Sequence, residues 1–532
     1  MPVHTDPAHS SGQILPFRES LLAMLGICFV IMLVALDQTV VGTALPTVVA
    51  ELKGFDLYAW VATSYLLTSV ITVPIFGRLG DFFGRKPFVI ASVLIFSAAS
   101  ALCGMANSML FLVLARGLQG IGGGMLVGTA FACVPDLFPE AKVRLRWQVL
   151  MTSAFGIATA VGPSLGGFLT QNWGWRWVFY VNLPVGLLSF YFIWRFFPHI
   201  RHVASTIKIR LDWPGAILIA LALGSLQLVV EELPKHGFSL FLSILAIISA
   251  VSFYGLWKWE QRASQPLLPL EMWRDPSLAP LFSLAIAVGF AMFSMLVYAP
   301  LLFQGGLDMT PQQAGLLITP LVACITIASL VSGRLVTRVP NPNLMLYAGF
   351  VLIALSSLGM VLTQRTSSHS FILTTMLIGG LGFGLVLPNL TIFAQQTAPR
   401  EHLGIATALL QSLRMIGGML GTAITGTLVN RIYAGGVQSA LEVAHGEQWL
   451  PQFRNPEILL NHAAQQSLLT QTAQAGRDGE AMLNAAREAL VGSIHIGVAL
   501  AIVVSLIGLW MVRRVPLVNF HHRPIKAAPL AD

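Results

Sequence analysis

The sequence alternates between long apolar runs and short polar segments. A helix needs about 20 apolar residues to cross a bilayer, and by that measure the chain predicts fourteen membrane spans. The first run contains Asp37 and is longer than the apolar core of a cleaved signal peptide, so we interpret it as the first span. The predicted fold class is therefore an all-α polytopic membrane protein. The spans, numbered in chain order, cover residues 20–45, 57–77, 87–106, 109–135, 147–170, 177–197, 213–233, 238–258, 278–303, 312–336, 344–363, 370–395, 403–428 and 491–512.

The composition excludes other classes of protein. Of the 532 residues, 55% are hydrophobic and 10% are charged, and the mean hydropathy is +0.74. A soluble domain carries about 25% charged residues, disordered chains are poor in apolar residues, and the strands of a membrane barrel alternate in polarity over about 10 residues. The four cysteines lie far apart within apolar runs, so we interpret them as small hydrophobic residues and predict no metal site.

The net charge of +8 reflects membrane topology rather than nucleic-acid binding. With the N-terminus placed in the cytosol, 21 of the 31 Lys and Arg residues fall in cytosolic segments and only four in short outer loops. Positive residues collect in the cytosolic loops of membrane proteins. The distribution therefore predicts that both termini are cytosolic and that the number of spans is even. The expected location of such a protein is the cytoplasmic (inner) membrane.

The sequence also contains an internal repeat. Glycines 120, 122 and 124 recur at 380, 382 and 384, and the tripeptide at 77–79 recurs at 333–335. Chance is the alternative in so glycine-rich a chain, but the features recur in order at nearly one offset. Parallel six-helix repeats around a central site are a transporter architecture. The predicted domains are a six-helix half at 1–200, a two-helix insert at 201–275, and a second half at 276–532 that includes a long outer loop at 429–490.

Asp37 and Arg116 are the first candidates for chemistry. Asp37 is the only acidic residue well inside a predicted span, where a carboxylate costs about 2.5–3.5 kcal/mol on insertion scales. Counted at 1.5 Å per residue, Arg116 lies at a similar depth, which makes the two plausible partners. Asp37 is thus predicted to bind and release a proton; a satisfied polar contact within the bundle is the alternative. Arg414 has no acidic residue in its own half, and it either lines a cavity or bonds backbone carbonyls.

Two glycine-containing segments look functional. Span 5 contains a kink-forming proline and closely spaced glycines that permit near approach of another helix, namely Gly156, Gly162, Pro163, Gly166 and Gly167. The segment after span 2 combines charges with glycines in a predicted tight turn, with Gly77, Asp81, Gly84, Arg85 and Lys86 as candidate gating residues. Asp81 and Arg85 are spaced to pair if this turn is helical. Ordinary helix packing is the alternative for span 5, and positive-inside anchoring explains Arg85 and Lys86 but not Asp81.

These segments resemble the fourteen-helix drug:proton antiporters of the major facilitator superfamily. The resemblance covers the whole chain and is carried by the sequences at 36–46, 77–86, 116–120, 156–167 and 175–184, together with Asp212 at the start of span 7. It implies that Arg116 takes part in proton coupling and that the span 5 segment is typical of exporters rather than symporters. The sequence departs from the family in lacking acidic residues inside spans 10 and 13, which predicts weak export of dications.

The predicted function is therefore proton-driven export of amphipathic, cationic or neutral, small molecules by alternating access. No enzyme motif is present, and no cofactor is expected because the proton gradient supplies the energy. The expected partners are the lipid bilayer, protons and the small-molecule substrate, with no nucleic acid. The cavity is predicted between spans 1, 2, 4, 5 and 9, 10, 12, 13, with the candidate lining residues Gln38, Tyr65, Gln119, Phe290, Phe293, Met295, Tyr298, Asn389 and Arg414.

Three alternatives remain open at this point. The first is a dedicated metabolite exporter that works with a periplasmic adaptor protein through the loop at 429–490, although a solvated cap is the simpler interpretation of that loop. The second is a proton-coupled uptake symporter, against which the span 5 segment argues. The third is a receptor or scaffold that moves no solute, against which Asp37 and Arg116 argue.

Overall fold

The computed structural model describes most of the chain as helix. Within the described residues there is no β-strand, which confirms the predicted all-α class. The described residues are 16–138, 141–198, 212–236, 239–263, 270–336, 338–398, 403–443, 446–454 and 456–517.

We call residues 17–196 the first half of the protein. It comprises seven helices, and two short ones lie within the sixth predicted span. They are α1 (Phe17–Leu52), α2 (Tyr58–Phe83), α3 (Arg85–Gly104), α4 (Met109–Leu137), α5 (Ala141–Trp173), α6 (Trp177–Tyr180) and α7 (Asn182–Phe196). Two further helices, α8 (Trp213–His236) and α9 (Leu240–Glu260), pack on each other and correspond to the predicted insert.

The second half comprises the remaining helices. They are α10 (Ala279–Leu301), α11 (Pro311–Leu335), α12 (Asn343–Val361), α13 (His369–Thr397), α14 (Leu403–Val443), α15 (Leu450–Phe453), α16 (His462–Gln474) and α17 (Gly479–Val512). A π-helical turn at Leu302–Gly306 extends α10.

Several helices begin at a residue whose side chain satisfies an orphan backbone N–H group. Ser108 caps α4 and Asp478 caps α17. Thr310 starts α11 with a reciprocal capping box, in which its hydroxyl accepts from the Gln313 backbone and the Gln313 side chain accepts from the Thr310 backbone. Such caps matter here because an unsatisfied backbone group near the bilayer is costly.

Twelve of the described helical segments are long and apolar enough to cross a membrane. The two other predicted spans, 147–170 and 403–428, lie within α5 and α14. Both are long enough, since 33 residues of α5 extend about 50 Å at 1.5 Å per residue.

The outer faces of the bundle carry large apolar side chains. α9 is the most exposed of the candidate spans, with 22% of its apolar window buried, and its Phe241, Val251 and Tyr254 are each more than half exposed. An apolar surface of this extent is suited to lipid rather than to water.

One packing pattern occurs twice. Gly166 of α5 lies against α1 so closely that a Cβ there would be 2.5 Å from Val40 O, and Gly421 of α14 lies against α10 with the corresponding distance to Phe290 O also 2.5 Å. Only glycine permits this approach, because nonbonded atoms do not tolerate such contact. α5 thus packs on α1 as closely as α14 packs on α10.

The α4 glycines of the sequence repeat behave in the same way. A Cβ at Gly120 would lie 2.3 Å from Tyr65 O of α2, and one at Gly380 would lie 2.3 Å from Leu321 O of α11. α4 thus packs on α2 as α13 packs on α11, and the offset of 260 residues relates equivalent helix contacts.

The segment predicted as a long outer loop is largely helical. α14 continues to Val443, and the described residues between 446 and 478 form short helical segments that include α15 and α16. We call the end of the bundle where these segments lie the capped end. There the Glu457 carboxylate accepts hydrogen bonds from the backbone N–H groups of Gly54 and Phe55, so the segment ties the second half to the first.

Candidate functional site

Asp37 and Arg116 form an ion pair in the interior of the first half. Asp37 is on α1 and Arg116 is on α4, and Arg116 Nη1 lies 2.6 Å from Asp37 Oδ2. The side chains are 0% and 4% exposed, respectively. The structure therefore brings together the two residues that the sequence placed at similar depth.

Two amide side chains complete the coordination of the Asp37 carboxylate. Gln119 Nε2 donates to Asp37 Oδ1 at 2.8 Å, and Arg116 Nη1 donates to Gln119 Oε1 at 2.7 Å. Asn182 Nδ2 lies 3.3 Å from Asp37 Oδ1 and donates to Ser100 Oγ at 3.0 Å. We call these five residues the Asp37 cluster. Side chains from α1, α3, α4 and α7 meet in it.

Arg116 is also held by α2. Its Nε donates to Val61 O at 3.2 Å, and its guanidinium carbon lies 4.5 Å from the centroid of the Tyr65 ring. Such a cation–π contact is attractive when both groups are desolvated. α1 and α2 therefore both contribute to fixing the position of Arg116.

The Asp37 cluster can hold charge where an isolated carboxylate could not. Burial of two charges is repaid only when their geometry is good and further hydrogen bonds satisfy the remaining lone pairs. Asp37 accepts from Arg116, Gln119 and Asn182. The pair meets these conditions, and its hydrogen bonds connect α1 with α4 and α7.

Asn182 and Ser100 were not predicted as site residues. Asn182 was included only as part of the segment 175–184, which carries the family resemblance. Ser100 could not be distinguished from other small residues of an apolar span. The available signal for Asn182 was an amide inside an otherwise apolar run, because buried amides need hydrogen-bond partners.

The span 5 residues lie on the seam between the halves. A Cβ at Gly167 would be 2.4 Å from Pro311 O of α11, and Pro163 O approaches Gly315 of α11 equally closely. One turn further, Ser164 Oγ lies 2.6 Å from Thr319 Oγ1. This face of α5 therefore packs against the second half.

Two other glycines of the span 5 segment also lie in helix contacts. Gly162 faces α1 at Thr39, and Gly156 faces α11 at Thr326. The set thus serves both packing within the first half and packing between halves.

The predicted gating segment is more helical than its sequence suggested. α2 continues through Phe83, and Gly84 alone, at φ +87°, separates it from α3. Lys86 Nζ donates to the Phe197 carbonyl at the end of α7 at 2.6 Å. The Asp81 side chain lies outside the described residues, so its predicted pairing with Arg85 stays a prediction.

Gly77 and Arg85, two further residues of the gating segment, lie close to neighbouring backbone. Gly77 faces Gly128 of α4, and the Arg85 side chain lies against Gly80. The segment therefore joins α2, α3 and α4 at the end of the bundle opposite the capped end.

The predicted cavity residues fall into two groups. Most are buried in fixed contacts: Tyr298 OH donates to Thr422 O at 2.9 Å, and Asn389 Nδ2 donates to Ser332 Oγ at 2.7 Å. The buried members are Tyr65, Gln119, Phe290, Met295, Tyr298 and Asn389. The partly exposed members are Gln38, Phe293 and Arg414.

The three partly exposed residues lie near one level of the bundle. Gly42 of α1 faces the Leu296 carbonyl of α10, which places Gln38, one turn earlier on α1, near the level of Phe293. The Phe293 ring lies against Gly418, one turn beyond Arg414 on α14.

Hydrogen bonds between the halves cluster toward the capped end. Gln304 Nε2 donates to Thr43 O at 2.8 Å, and Tyr58 OH donates to Val297 O at 2.9 Å. The conformation is therefore one in which the capped end is closed.

Comparison with known families agrees with this architecture. Residues 27–422 match the family described as the Major Facilitator Superfamily. The chain is 34% identical over 424 residues to the multidrug transporter protein MdtP of Bacillus subtilis (strain 168), covering 77% of this chain and 75% of the relative. It is 31% identical to the multidrug resistance protein Stp of Mycobacterium tuberculosis (strain CDC 1551 / Oshkosh), covering 77% of this chain and 76% of the relative.

A solved structure shares the fold over nearly the full length. The bacterial homolog of the human lysosomal transporter Spinster, in an inward-facing and occupied conformation, superposes with a TM-score of 0.65 at 16% identity, covering 96% of this chain and 98% of that one. An identity this low supports the fold alone.

Proposed function

The chain belongs to the Major Facilitator Superfamily, and from this premise we propose that it exports amphipathic small molecules across the cytoplasmic membrane in exchange for protons. It is a multi-pass membrane transporter and not an enzyme. The names of its relatives as multidrug proteins support a broad rather than a single substrate. No cofactor is required, because the proton gradient supplies the energy.

The observation that carries the proposal is the buried pair of Asp37 and Arg116. Among the described residues, Asp37 is the one carboxylate deep within a candidate span. A membrane-embedded ionisable residue that is retained at such a cost usually serves transport. The close contact of α1, α4 and α7 around it links its charge state to the arrangement of the helices.

The cycle follows from competition between proton and substrate. Substrate enters from the cytosol while Asp37 is ionised, and the halves rock about the α5–α11 seam. A proton that arrives from outside then neutralises Asp37, the substrate leaves, and deprotonation toward the cytosol resets the site. In this scheme the capped end faces outward, both termini are cytosolic, and α5 and α14 complete fourteen spans.

One titrating carboxylate limits the driving force. Exchange of one proton for one monovalent cation moves no net charge, so the membrane potential, worth about 2.3 kcal/mol per charge per 100 mV, contributes nothing. Only the pH gradient drives such export. We therefore expect weak export of dications, and steep voltage-driven dication efflux would contradict a single proton site.

The test is proton movement in inverted membrane vesicles acidified inside by respiration. Addition of a lipophilic monocation should dissipate the pH gradient with the native protein and not with Asp37→Asn. A matched control is Glu51→Gln, which removes an exposed carboxylate at the capped end. Dissipation that persists in Asp37→Asn would move the proton to another group, and no response in the native protein would refute antiport of such cations.

A dedicated exporter with a periplasmic adaptor is the second candidate. The 429–490 segment that would receive the adaptor already contacts its own chain through Glu457 and through Arg487, which donates to Asp308 Oδ1 at 2.7 Å. These contacts support a cap that closes the transporter itself. Replacement of the most exposed part of α16 without loss of efflux would argue further against an adaptor at this place.

A further inference from the structure

Arg414 is a cation for which the described residues provide no counter-charge. Its Nε is buried without a hydrogen-bond partner, and within the described ranges neither an ion pair nor a hydrogen bond involves its guanidinium. Arginine does not lose its proton in proteins. The second half therefore holds a permanent, uncompensated positive charge within the membrane domain.

None of the carboxylates that the structure describes forms an ion pair with Arg414. Asp37 is already engaged by Arg116, Gln119 and Asn182. The α10 helix, on which α14 packs at Gly289 and Arg414, contains no charged residue between Ala279 and Leu301. A counter-charge for Arg414 must come from outside the described chain.

The surroundings of Arg414 have the form of a binding site for an acid with an apolar body. Arg414 is partly exposed, and the partly exposed Phe293 ring lies one turn away. Gln411, on the same face of α14, also has a buried Oε1 atom without a partner. A guanidinium binds a carboxylate or sulfonate through paired N–H groups, while the aromatic ring supplies contact for apolar atoms.

We propose that Arg414 binds the anionic group of the substrate, so that the preferred substrates are lipophilic monoanions with a carboxylate or sulfonate. This inference rests on the proposed export function and specifies its substrate class. It also changes the energetics, because export of a monoanion in exchange for one proton moves two positive charges inward. A neutral substrate moves one charge, and a monocation moves none.

The test is equilibrium binding of three matched probes to the full-length protein in lipid nanodiscs. The probes are naphthalene-2-carboxylate, its neutral amide, and the 2-aminomethylnaphthalene cation. The native protein should bind the carboxylate at least tenfold more tightly than the cation. Arg414→Gln should lower carboxylate affinity at least tenfold and leave amide affinity unchanged, while Arg414→Lys should retain most of the carboxylate binding.

A second variant keeps Arg414 and gives it a counter-charge within the protein, so that the guanidinium is less available to a ligand. Gln411→Glu places a carboxylate three residues before Arg414, a spacing at which opposite charges pair on a helix. It should weaken carboxylate binding as Arg414→Gln does, and it carries the test if Arg414→Gln fails to fold. Equal loss of all three probes in Gln411→Glu, or unchanged carboxylate binding in either folded variant, would overturn the proposal.

Failure of this inference is distinguishable from failure of the export proposal. If Arg414-dependent carboxylate binding occurs but naphthalene-2-carboxylate, added in place of the monocation, moves no protons that depend on Asp37 in the vesicle assay, proton coupling fails and the anion site stands. If protons exchange for the monocation and carboxylate binding ignores Arg414, antiport stands and the anion site is overturned.

Discussion

The two halves of the bundle share helix packing but treat buried charge in opposite ways. The first half encloses Arg116 with a carboxylate, an amide, a carbonyl and an aromatic ring. At the offset that relates the α4 and α13 glycines, the position of Arg116 is occupied by Met376. The second half instead has Arg414 on α14, with no partner among the residues that the structure describes.

This difference separates two tasks. In the proposed cycle the paired Asp37 carboxylate carries the proton, and its hydrogen bonds connect its charge to α4 and α7. A charge left unpaired is suited to meet a ligand. The duplicated helix framework has thus retained its glycine contacts while the polar residues of the two halves have diverged.

The largest effect is expected for Asp37→Asn. The substitution leaves the Arg116 guanidinium buried without a negative partner, and loss of one member of a buried ion pair costs about 3–5 kcal/mol. We expect loss of proton-coupled transport and a lower thermal midpoint. The double variant Asp37→Asn with Arg116→Gln removes both charges and should recover stability without recovering coupling. Recovery of coupling in the double variant would show that Asp37 is not the proton site.

The next largest effect is expected for Gly167→Ala at the seam between the halves. The new methyl group would meet Pro311 O at 2.4 Å and Gln312 Cα at 2.9 Å, both backbone atoms. Overpacking of this kind costs about 1–3 kcal/mol. We expect slower transport and a lower thermal midpoint, because the closed capped end can no longer form without strain.

Gly224→Ala is the matched control for this prediction. Gly224 lies within α8, and no atom lies within 4 Å of a Cβ built there. Alanine in a helix interior is favoured over glycine by about 0.5–1 kcal/mol, so this variant should be at least as stable as the native protein. If both variants behave alike, the α5–α11 contact does not limit transport.

The sequence predicted the apolar spans and the pairing of Asp37 with Arg116 because both depend on strong local constraints. Bilayer thickness fixes the length of an apolar run, and the cost of a buried charge makes Asp37 conspicuous. The role of Asn182 could not be predicted in this way, since an amide in an apolar segment has many potential partners. The contact of Glu457 with Gly54 joins residues far apart in sequence, and no local pattern indicates it.

The roles of the predicted cavity residues could not be decided from the sequence either. Aromatic residues on α10 fit a ligand site and helix packing equally well in sequence. The structure buries Phe290 and Tyr298 against α14 and leaves Phe293 partly exposed. Side-chain direction relative to a neighbouring helix decides between these roles, and it depends on the tertiary arrangement.

A smaller effect is expected for Glu457→Gln at the capped end. The ionised carboxylate accepts from the backbone N–H groups of Gly54 and Phe55, and hydrogen bonds to charged groups contribute about 1.5–3 kcal/mol against about 0.5–1.5 for neutral ones. The equilibrium constant for closure of the capped end should therefore be about fivefold lower in this variant. Maleimide labelling of Val297→Cys, a position 5% exposed beside Tyr58, measures this opening.

Glu480→Gln controls for the loss of a carboxylate at the same end. Glu480 is an exposed residue in the first turn of α17, and its removal should leave labelling of Val297→Cys unchanged. Equal labelling in Glu457→Gln and the parent protein would show that the Glu457 contact does not hold the capped end closed.

The smallest effect is expected for Glu51→Gln. This substitution removes a carboxylate–guanidinium pair like that of Asp37 and Arg116, but one that is exposed to solvent. Glu51 pairs with Arg176, and the two side chains are 50% and 35% exposed. Exposed pairs contribute about 0–1 kcal/mol, and the neutral amide can still accept from Trp175 Nε1, which donates to Glu51 at 2.8 Å. The thermal midpoint and the transport rate should both stay close to native values, measured beside Asp37→Asn. If Glu51→Gln were as harmful as Asp37→Asn, burial would not explain why the interior pair matters, and the contrast between the halves would lose its physical basis.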